Sequence, residues 1–581
     1  MSGVLSRLAG RLRTGDLVTG ISRLLALACL VGLVGMLPWL SGKDPALTIL
    51  RATSSDREPT PEVLASIRKS IGIDGGPLHV IGHWLAGVAR GDLGRSWVSG
   101  ADVGPDAVDA FGVSLSLMAA ALGVGVVVAA ALVLPALRDG LRGRPRPRGG
   151  AASAVLISLP EYLLAPILML VLAVYLRILP PFGWGSPEKV IMPALSLGLP
   201  TGGYLGGLVS DAVTATFSER WVATWSTAGI RGRTLAGAVL RRALAPLTGQ
   251  VALVVVALTG GAVAVEKIFA IPGLGRELLD AASAQDVPAL QAQILLLLAL
   301  ALTTGVIAGA VRRLLMGRAA GAGGLTAPPP VEHSGRAARV IAVSGAALLA
   351  LMVAVGIRRD PYAVVADKLA QPSAALPLGA DSLGRDVLAR VAHGAVSTVS
   401  GAVIVTVVCF VIAILVGLAP RAATGFIEVA NAAPPILAGL IVAGVSGPSA
   451  TGAAIAVAGV GWAPLASHAA GLVAENRQRP DVLLAPVLGE GRVRITLTRV
   501  LPAVVGPLAR HAALRLPGKA LALAALGFLG LGAQSPAPEW GLVLSDALPY
   551  IERAPWAVAT PAAALVVLSI TSVAASRSMR R

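Results

Sequence analysis

The sequence predicts an all-α polytopic membrane protein with about twelve transmembrane helices in two parallel six-helix halves. Three observations point there. Hydrophobic residues make up 55% of the 581 positions against 14% charged, with a mean hydropathy of +0.77. Apolar runs of about twenty residues follow one another along the chain, and a short motif recurs about half a chain later. Crossing a hydrocarbon core of roughly 30 Å takes about 20 apolar residues in a helix, and a barrel strand about half that. Runs such as LLALACLVGLVGMLPWL and VSLSLMAAALGVGVVVAAALVLPAL fit the helix.

The spans are expected near 21–40, 111–137, 151–176, 190–215, 247–270 and 289–315, then near 338–356, 397–419, 425–446, 450–474, 503–532 and 556–576. Between the sets lies GRAAGAGGLTAPPPVEHSGRAAR, whose Gly, Ala and Pro suit a flexible linker. The expected division is therefore a first half at 1–317, a cytoplasmic linker at 318–337 and a second half at 338–581.

The formal charge of +17 suits nucleic acid less well than topology, because the arginines sit in short breaks between apolar runs. Arg7, Arg11 and Arg13 precede the first span, Arg138, Arg142, Arg144, Arg146 and Arg148 follow the second, and Arg577, Arg580 and Arg581 end the chain. Arginine excess marks the cytoplasmic side, so both termini are expected inside. The long segment 41–110 carries Asp44, Asp56, Glu58, Glu62, Asp74, Asp92, Asp102, Asp106 and Asp109 and suits the outer side. Cys29 and Cys409 lie within apolar runs, which argues against a disulfide framework or a cysteine metal site. The basic, apolar N-terminus lacks a small-residue cleavage site and reads as a retained first span.

Leu93-Gly94-Arg95 in GDLGRSWVSG and Leu383-Gly384-Arg385 in LGADSLGRDVLARVAHGA occupy the same place in their halves, after the first span and before the second. IPGLGRELLD (271–280) and FLGLGAQSP (528–536) form a second pair at the outer end of each fifth span. An even number of spans per half returns the chain to the same side, so the repeats are parallel and the pathway belongs between them.

Several of these stretches resemble one known family. LGADSLGRDVLARVAHGA together with LALAALGFLGLGAQSPAPEWGLVLSDALPYIERAPWAVATPAAAL (521–565) resembles the second permease subunit of dipeptide/oligopeptide/nickel-type ABC importers. PEVLASIRKSIGIDGGPLHVIGHWLAGVARGDLGRSWVSG (61–100) and GGAVAVEKIFAIPGLGRELLDAASAQDVPALQAQILLLLAL (260–300) resemble the first subunit. The resemblance implies a fused heterodimeric permease of the type I, MetI-like fold in a bacterial cytoplasmic membrane. By the same resemblance it is expected to move peptides or a related small solute, such as a metal chelate or nickel complex, inward by alternating access. Two cytoplasmic ABC ATPases and an extracytoplasmic solute-binding protein are the implied partners, with ATP and Mg used by the ATPases. No phosphate-cradling G-x-x-x-x-G-K-[ST] frame occurs: Gly42-Lys43 is followed by Asp44 and Gly518-Lys519 by Ala520, so this chain is expected to hold no cofactor and to be no enzyme.

In that family each half presents a cytoplasmic knob built around a glycine. The matching frames are 218–247, with Trp221, Thr224, Gly229 and Arg231, and 477–499, with Ala485, Gly489 and Arg492. Both frames depart from the family's Ala-Ala-Arg-like core, which is Trp225-Ser226 in one half and Ala485-Pro486 in the other; Pro486 removes a helix hydrogen bond and puts the second knob's geometry in question. The same loops also read as ordinary basic loops that set orientation.

His511, Arg515 and Lys519 follow one another at helical spacing in the fifth span of half two. Ionisable groups within a span are costly and usually face a cavity or a partner. They are therefore candidates for the pathway, favouring an anionic solute, unless they pair with neighbouring helices. Glu266 in the family-like VEKIFAIPGLG is a fourth pathway candidate, with Lys267 beside it as local compensation. Arg95, Asp381, Arg385 and Asp386 are candidates for docking the binding protein; the simpler account is an interfacial helix start capped by Asp381. The six histidines show no metal-binding spacing. The rival readings are a gradient-driven twelve-span secondary transporter, which predicts acids in mid-span, and a permease homologue whose coupling loops have degenerated.

Overall fold

The computed structural model describes residues 20–37, 46–47, 49–50, 58–70, 76–145, 150–157, 159–316 and 336–578. Among these residues there is no strand; the only ladder-like pairs are the isolated bridges Arg95 with Asp102, Val364 with Arg385 and Ala380 with Asp386. The predicted linker at 318–337 lies, through residue 335, outside the described residues.

Half one begins with α1 (Gly20–Gly35). The segment between the first two expected spans holds α2 (Pro61–Ser70) and α3 (Pro77–Ala89), each opened by a proline, which suits a first turn that needs no N–H. Then follow α4 (Val103–Leu141), α5 (Gly150–Ile157), α6 (Glu161–Leu168), α7 (Pro187–Phe217), α8 (Arg220–Thr227), α9 (Gly232–Leu244), α10 (Thr248–Phe269), α11 (Leu274–Ala284) and α12 (Val287–Met316). Half two supplies α13 (Arg336–Gly356), α14 (Val387–Gly417), α15 (Pro420–Ala432), α16 (Pro435–Ser446), α17 (Ala450–Gly461), α18 (Ala463–Arg477), α19 (Pro480–Leu484), α20 (Arg492–Ile495), α21 (Leu501–Leu529), α22 (Trp540–Ala547) and α23 (Pro555–Ser578).

Among the described residues eight helices are long and apolar enough to cross a bilayer, nine if α15 and α16 form one crossing. The other three expected spans fall on α1, on α5 with α6, and on α7. Prolines account for the breaks. Pro160 separates α5 from α6, and Pro434 with Pro435 separates α15 from α16, because proline cannot donate into the helical ladder.

The chain divides into two compact units, one of residues 1–104, 281–292 and 394–542, the other of 105–280, 293–393 and 543–581. Each draws on both sequence halves. In the first, Arg23 of α1 forms a two-pronged ion pair with Glu428 of α15, at 2.7 Å for both contacts, and Gln291 Nε2 donates to the Val34 carbonyl at 2.9 Å. In the second, α13 packs along α23. There α7 meets α4 through Gly198, Gly202 and Gly206, one per turn: a Cβ on Gly198 would lie 2.6 Å from Val124, on Gly202 2.6 Å from Val128 and on Gly206 2.7 Å from Leu132. Small residues at four-residue spacing let backbones approach where lipid provides no hydrophobic drive. Gly202→Val is expected to separate the two helices and abolish accumulation of folded protein, measured by size-exclusion profile in detergent. A monodisperse peak at wild-type yield would contradict that packing.

Candidate functional site

The two expected knobs are built alike. Gly229 and Gly489, 260 positions apart, both adopt left-handed backbone, at φ +82° and +79°. In half one the Gly229 N–H donates to Ser226 O at 3.2 Å and the Ile230 N–H to Trp225 O at 2.9 Å. In half two the Gly489 N–H donates to Pro486 O at 3.1 Å and the Glu490 N–H to Ala485 O at 3.1 Å. This is the reciprocal pair of bonds that closes a helix on a glycine. Pro486 does shorten its helix, from the eight residues of α8 to the five of α19, as its missing N–H requires. The turn it leaves is nevertheless the same, and Arg499 clasps Glu490 beneath it, with Nε to Oε2 at 3.0 Å.

Each knob is anchored on its inner side. In half one Val222, Leu235, Val239 and Ala243 bury against Phe217 of α7 and Val133 of α4, with Trp221 at the edge. Trp221 Nε1 donates to Glu219 at 2.7 Å and its ring meets Trp225 edge-on at 5.2 Å. Thr224 Oγ1 donates back to Arg220 O at 3.2 Å, and Arg231 is exposed. In half two Val482 and Ile495 are the buried anchors, Ala485 is buried and Arg492 exposed.

Beyond the turn the halves differ by one residue. The buried series Leu235, Val239, Ala243, Leu247 steps by four, whereas Ile495, Val500, Val504, Leu508 begins with a step of five. The extra residue is taken up by a π-helical turn at Thr496–Val500, which keeps the apolar face inward.

A second repeated device sits where the second and fifth spans of each half meet. Ser114 and Thr398 are each the twelfth residue of their helices, α4 and α14. Ser114 Oγ donates to Glu266 at 2.6 Å and accepts the Leu274 N–H at 2.8 Å, while the Arg276 N–H donates to the other Glu266 oxygen at 3.0 Å. Thr398 Oγ1 donates to Glu539 at 3.1 Å and accepts the Trp540 N–H at 3.5 Å, while the Leu542 N–H donates to the other Glu539 oxygen at 3.0 Å. The bonding is the same, but the carboxylate has changed places. In half one the span carries Glu266, and Gly273 of the loop and Gly275 at the start of α11 stand where a Cβ would strike the carboxylate. In half two the span carries Gly527, 261 positions on from Glu266, and the loop carries Glu539, which a Cβ at Gly527 would strike. Glu266 is fully buried, and its two oxygens accept from the Ser114 hydroxyl and the Arg276 N–H, bracing this corner.

Burial pushes the Glu539 carboxyl up to about 7, against the opposing pull of the Gly541 and Leu542 N–H groups and the Thr398 hydroxyl. A carboxyl that holds its proton more tightly when folded stabilises the fold at low pH, below its ordinary value of 4.5, and that stabilisation is lost as pH rises through about 7. Glu539→Gln is accordingly expected to flatten the fall in thermal stability between pH 4.5 and 7. A parallel fall in the variant would assign the pH dependence to other groups.

The expected docking residues are placed differently from one another. Arg95 is exposed and pairs with Asp102 at 3.0 Å. Asp381, Arg385 and Asp386 are buried. Asp381 Oδ1 accepts the Leu383 and Arg385 N–H groups, both at 2.9 Å, and Oδ2 accepts Arg385 Nε at 2.7 Å and Arg390 Nη1 at 2.8 Å. Asp386 caps α14 through the Leu388 N–H at 2.8 Å and binds Arg359 at 2.7 Å. Arg390, 1% exposed, also reaches Asp546 at 3.5 Å. Burial alone would raise the Asp381 carboxyl, but its backbone N–H donors and the Arg385 guanidinium hold it below the ordinary carboxylate value. The glycine-punctuated stretch is thus a charge-neutral knot, and Leu383 at its tip is what stands in the open.

The basic stripe of α21 is only partly open. Arg515 is exposed and donates from Nε to His511 Nε2 at 3.0 Å, so that ring nitrogen is the acceptor. His468 of α18 stacks on His511 at 4.2 Å. Lys519 is buried beside Cys409, and both lie 3.3 Å from the Cβ position of Gly461. The sequence reading missed His468, Arg359, Arg390, Glu539 and Asp546, each of which lies far in sequence from, or on another element than, the residue it serves.

The model of the binding-protein-dependent transport system inner membrane component family matches residues 150–320 and again residues 410–579. The peptide transport system permease protein SapC of Escherichia coli O6:H1 is 35% identical over 202 residues, covering 33% of this chain and 67% of its own. The metal-staphylopine import system permease protein CntB of Staphylococcus aureus is 28% identical over 281 residues, 48% of this chain and 89% of its own. The glutathione transport system permease protein GsiC of Salmonella choleraesuis is 32% identical over 303 residues, 50% of this chain and 90% of its own. Each relative accounts for half of this chain or less, as two fused permease units require. Carrying two tandem copies of its domain, this chain belongs to the binding-protein-dependent transport system inner membrane components, the multi-pass transport subunits that work with an ATPase and a solute-binding protein.

Proposed function

We propose that this chain supplies both membrane halves of an ATP-driven importer for a small anionic solute of the peptide or metal-chelate class. Residues 1–317 and 338–581 act as the two halves, joined on the cytoplasmic side of a bacterial cytoplasmic membrane, with both termini inside. Two ATPase subunits, using ATP and Mg, seat on the knobs at 218–247 and 477–499, and an extracytoplasmic binding protein delivers the solute.

The observation that carries this reading is the identical glycine-closed turn at Gly229 and Gly489 on two basic loops. A loop that served orientation alone would need its arginines but not a common backbone geometry. The solute class leans on His511 and Arg515, with His468 beside them, and on relatives named for peptides, glutathione and a metal chelate.

The test is reconstitution in liposomes with candidate ATPases and binding protein. Solute-stimulated ATP hydrolysis and inward flux are expected, and Gly489→Val, which forces a branched side chain into left-handed backbone, is expected to lower both at least tenfold. Flux driven by an ion gradient with no ATPase present would overturn the proposal. Neutralising Arg515 with unchanged uptake of every acidic candidate would overturn the solute class alone.

A further inference from the structure

One face of α9 does nothing for the knob's core. Leu235, Val239 and Ala243 point inward, while Arg233, Gly237 and Arg241, one turn apart, run along another side with Arg242 at its edge. These residues line a pocket of about 580 Å³ together with neighbouring α9 residues, Trp225 and the last residues of α12, Leu315 and Met316.

The pocket is cationic and has donors to spare. Arg241 uses Nε and Nη2 on the Leu315 and Leu314 carbonyls, at 2.6 and 3.3 Å, which holds its guanidinium at the end of α12. Arg242 Nη2 pairs with Glu219 at 3.2 Å, but its Nη1 is out of water with no acceptor. Arg233 is exposed at the rim. An isolated buried guanidinium nitrogen costs free energy unless an acceptor arrives. Three planar forks beside an apolar wall match a phosphate oxygen set carried on an acyl chain. Gly237 keeps the floor open: nothing lies within 4 Å of the place its Cβ would take.

We infer that this pocket binds the phosphodiester headgroup of an anionic phospholipid, with acyl chains along the end of α12. Basic pockets at the cytoplasmic ends of spans are suited to such headgroups. The assignment to the inner leaflet rests on the orientation proposed above; the phosphate chemistry does not. A seat for the ATPase is disfavoured by the other half, which needs one equally yet carries none of these arginines at the matching positions. There Leu497 stands at the place of Gly237 and Val493 at that of Arg233, and beyond the π turn Pro502 and Ala503 replace Arg241 and Arg242.

The test is native mass spectrometry and fluorescent-lipid titration of the full chain in detergent, where orientation plays no part. Phosphatidylglycerol is expected to bind saturably and at least tenfold more tightly than phosphatidylcholine, and inorganic phosphate is expected not to displace it. Gly237→Leu fills the pocket but leaves every arginine, and is expected to abolish saturable binding; Arg233→Gln is expected to weaken it about fivefold, the equivalent of about 1 kcal/mol for one arginine. Undiminished binding in Gly237→Leu would mean that general surface charge collects the lipid, and displacement by inorganic phosphate would assign a free anion instead. Either result overturns the inference, as does a Gly237→Leu variant that loses ATPase binding while holding phosphatidylglycerol as before. Cysteine labelling that places the loop outside would sink the proposed orientation while leaving the binding result standing.

Discussion

Replacing Arg390 by Leu, in the first turn of α14, is expected to cost about 3 kcal/mol or more of stability. Arg390 is 1% exposed and joins Asp381, at 2.8 Å, to Asp546, at 3.5 Å. Removing one member of a buried charge set leaves its partners desolvated and uncompensated, which costs more than the pair itself contributes. Asp381 keeps Arg385, so Asp546 bears most of the loss. Adding Asp546→Asn to Arg390→Leu is therefore expected to restore at least half of the stability. Reversible denaturant unfolding in mixed micelles measures both variants. Equal stability of wild type and Arg390→Leu would show that the knot contributes no net energy, and a double variant no better than the single would place the cost elsewhere.

The second large effect is expected on coupling and not on folding. Val487 and Leu488 stand 80% and 75% exposed at the tip of the half-two knob, beside the exposed Leu483 and Leu484. Large aliphatic side chains held out on a rigid turn have little reason to be there unless a partner covers them. Val487→Asp with Leu488→Asp is expected to lower solute-stimulated ATP hydrolysis about thirtyfold, the loss of one interface anchor worth about 2 kcal/mol. The thermal midpoint of the isolated chain is expected to be unchanged, since these side chains touch nothing they stabilise. Full stimulation in the variant would remove the knob from the ATPase interface.

The fold was legible in the sequence wherever a signal is local. Apolar runs of about twenty residues place helices at all twelve expected segments, and the family-like frames single out Gly229 and Gly489, whose left-handed backbone strongly favours glycine. What escaped was non-local. Glu539 looks like an unremarkable loop acid until its span is seen to carry Gly527 where the other carries Glu266. His468 lies 43 positions before the His511 ring it stacks on, and nothing in its own neighbourhood announces that. Asp381, Arg385 and Asp386 were found as a motif with docking and helix capping both open, since a polar run beside a span has the same composition whether its charges face water or each other. Only the geometry of Arg359, Arg390 and Asp546 decides between those cases.

The wide turn at Thr496–Val500 governs how the halves can be recombined. Segments exchanged upstream of it align at a shift of 260 positions and those downstream at 261, as Leu235 with Ile495 and Leu247 with Leu508 require. A chimera cut on either side with one shift throughout would rotate everything beyond the junction by about 100°. Its fifth span would then turn arginine and histidine toward whatever leucines and valines had faced before.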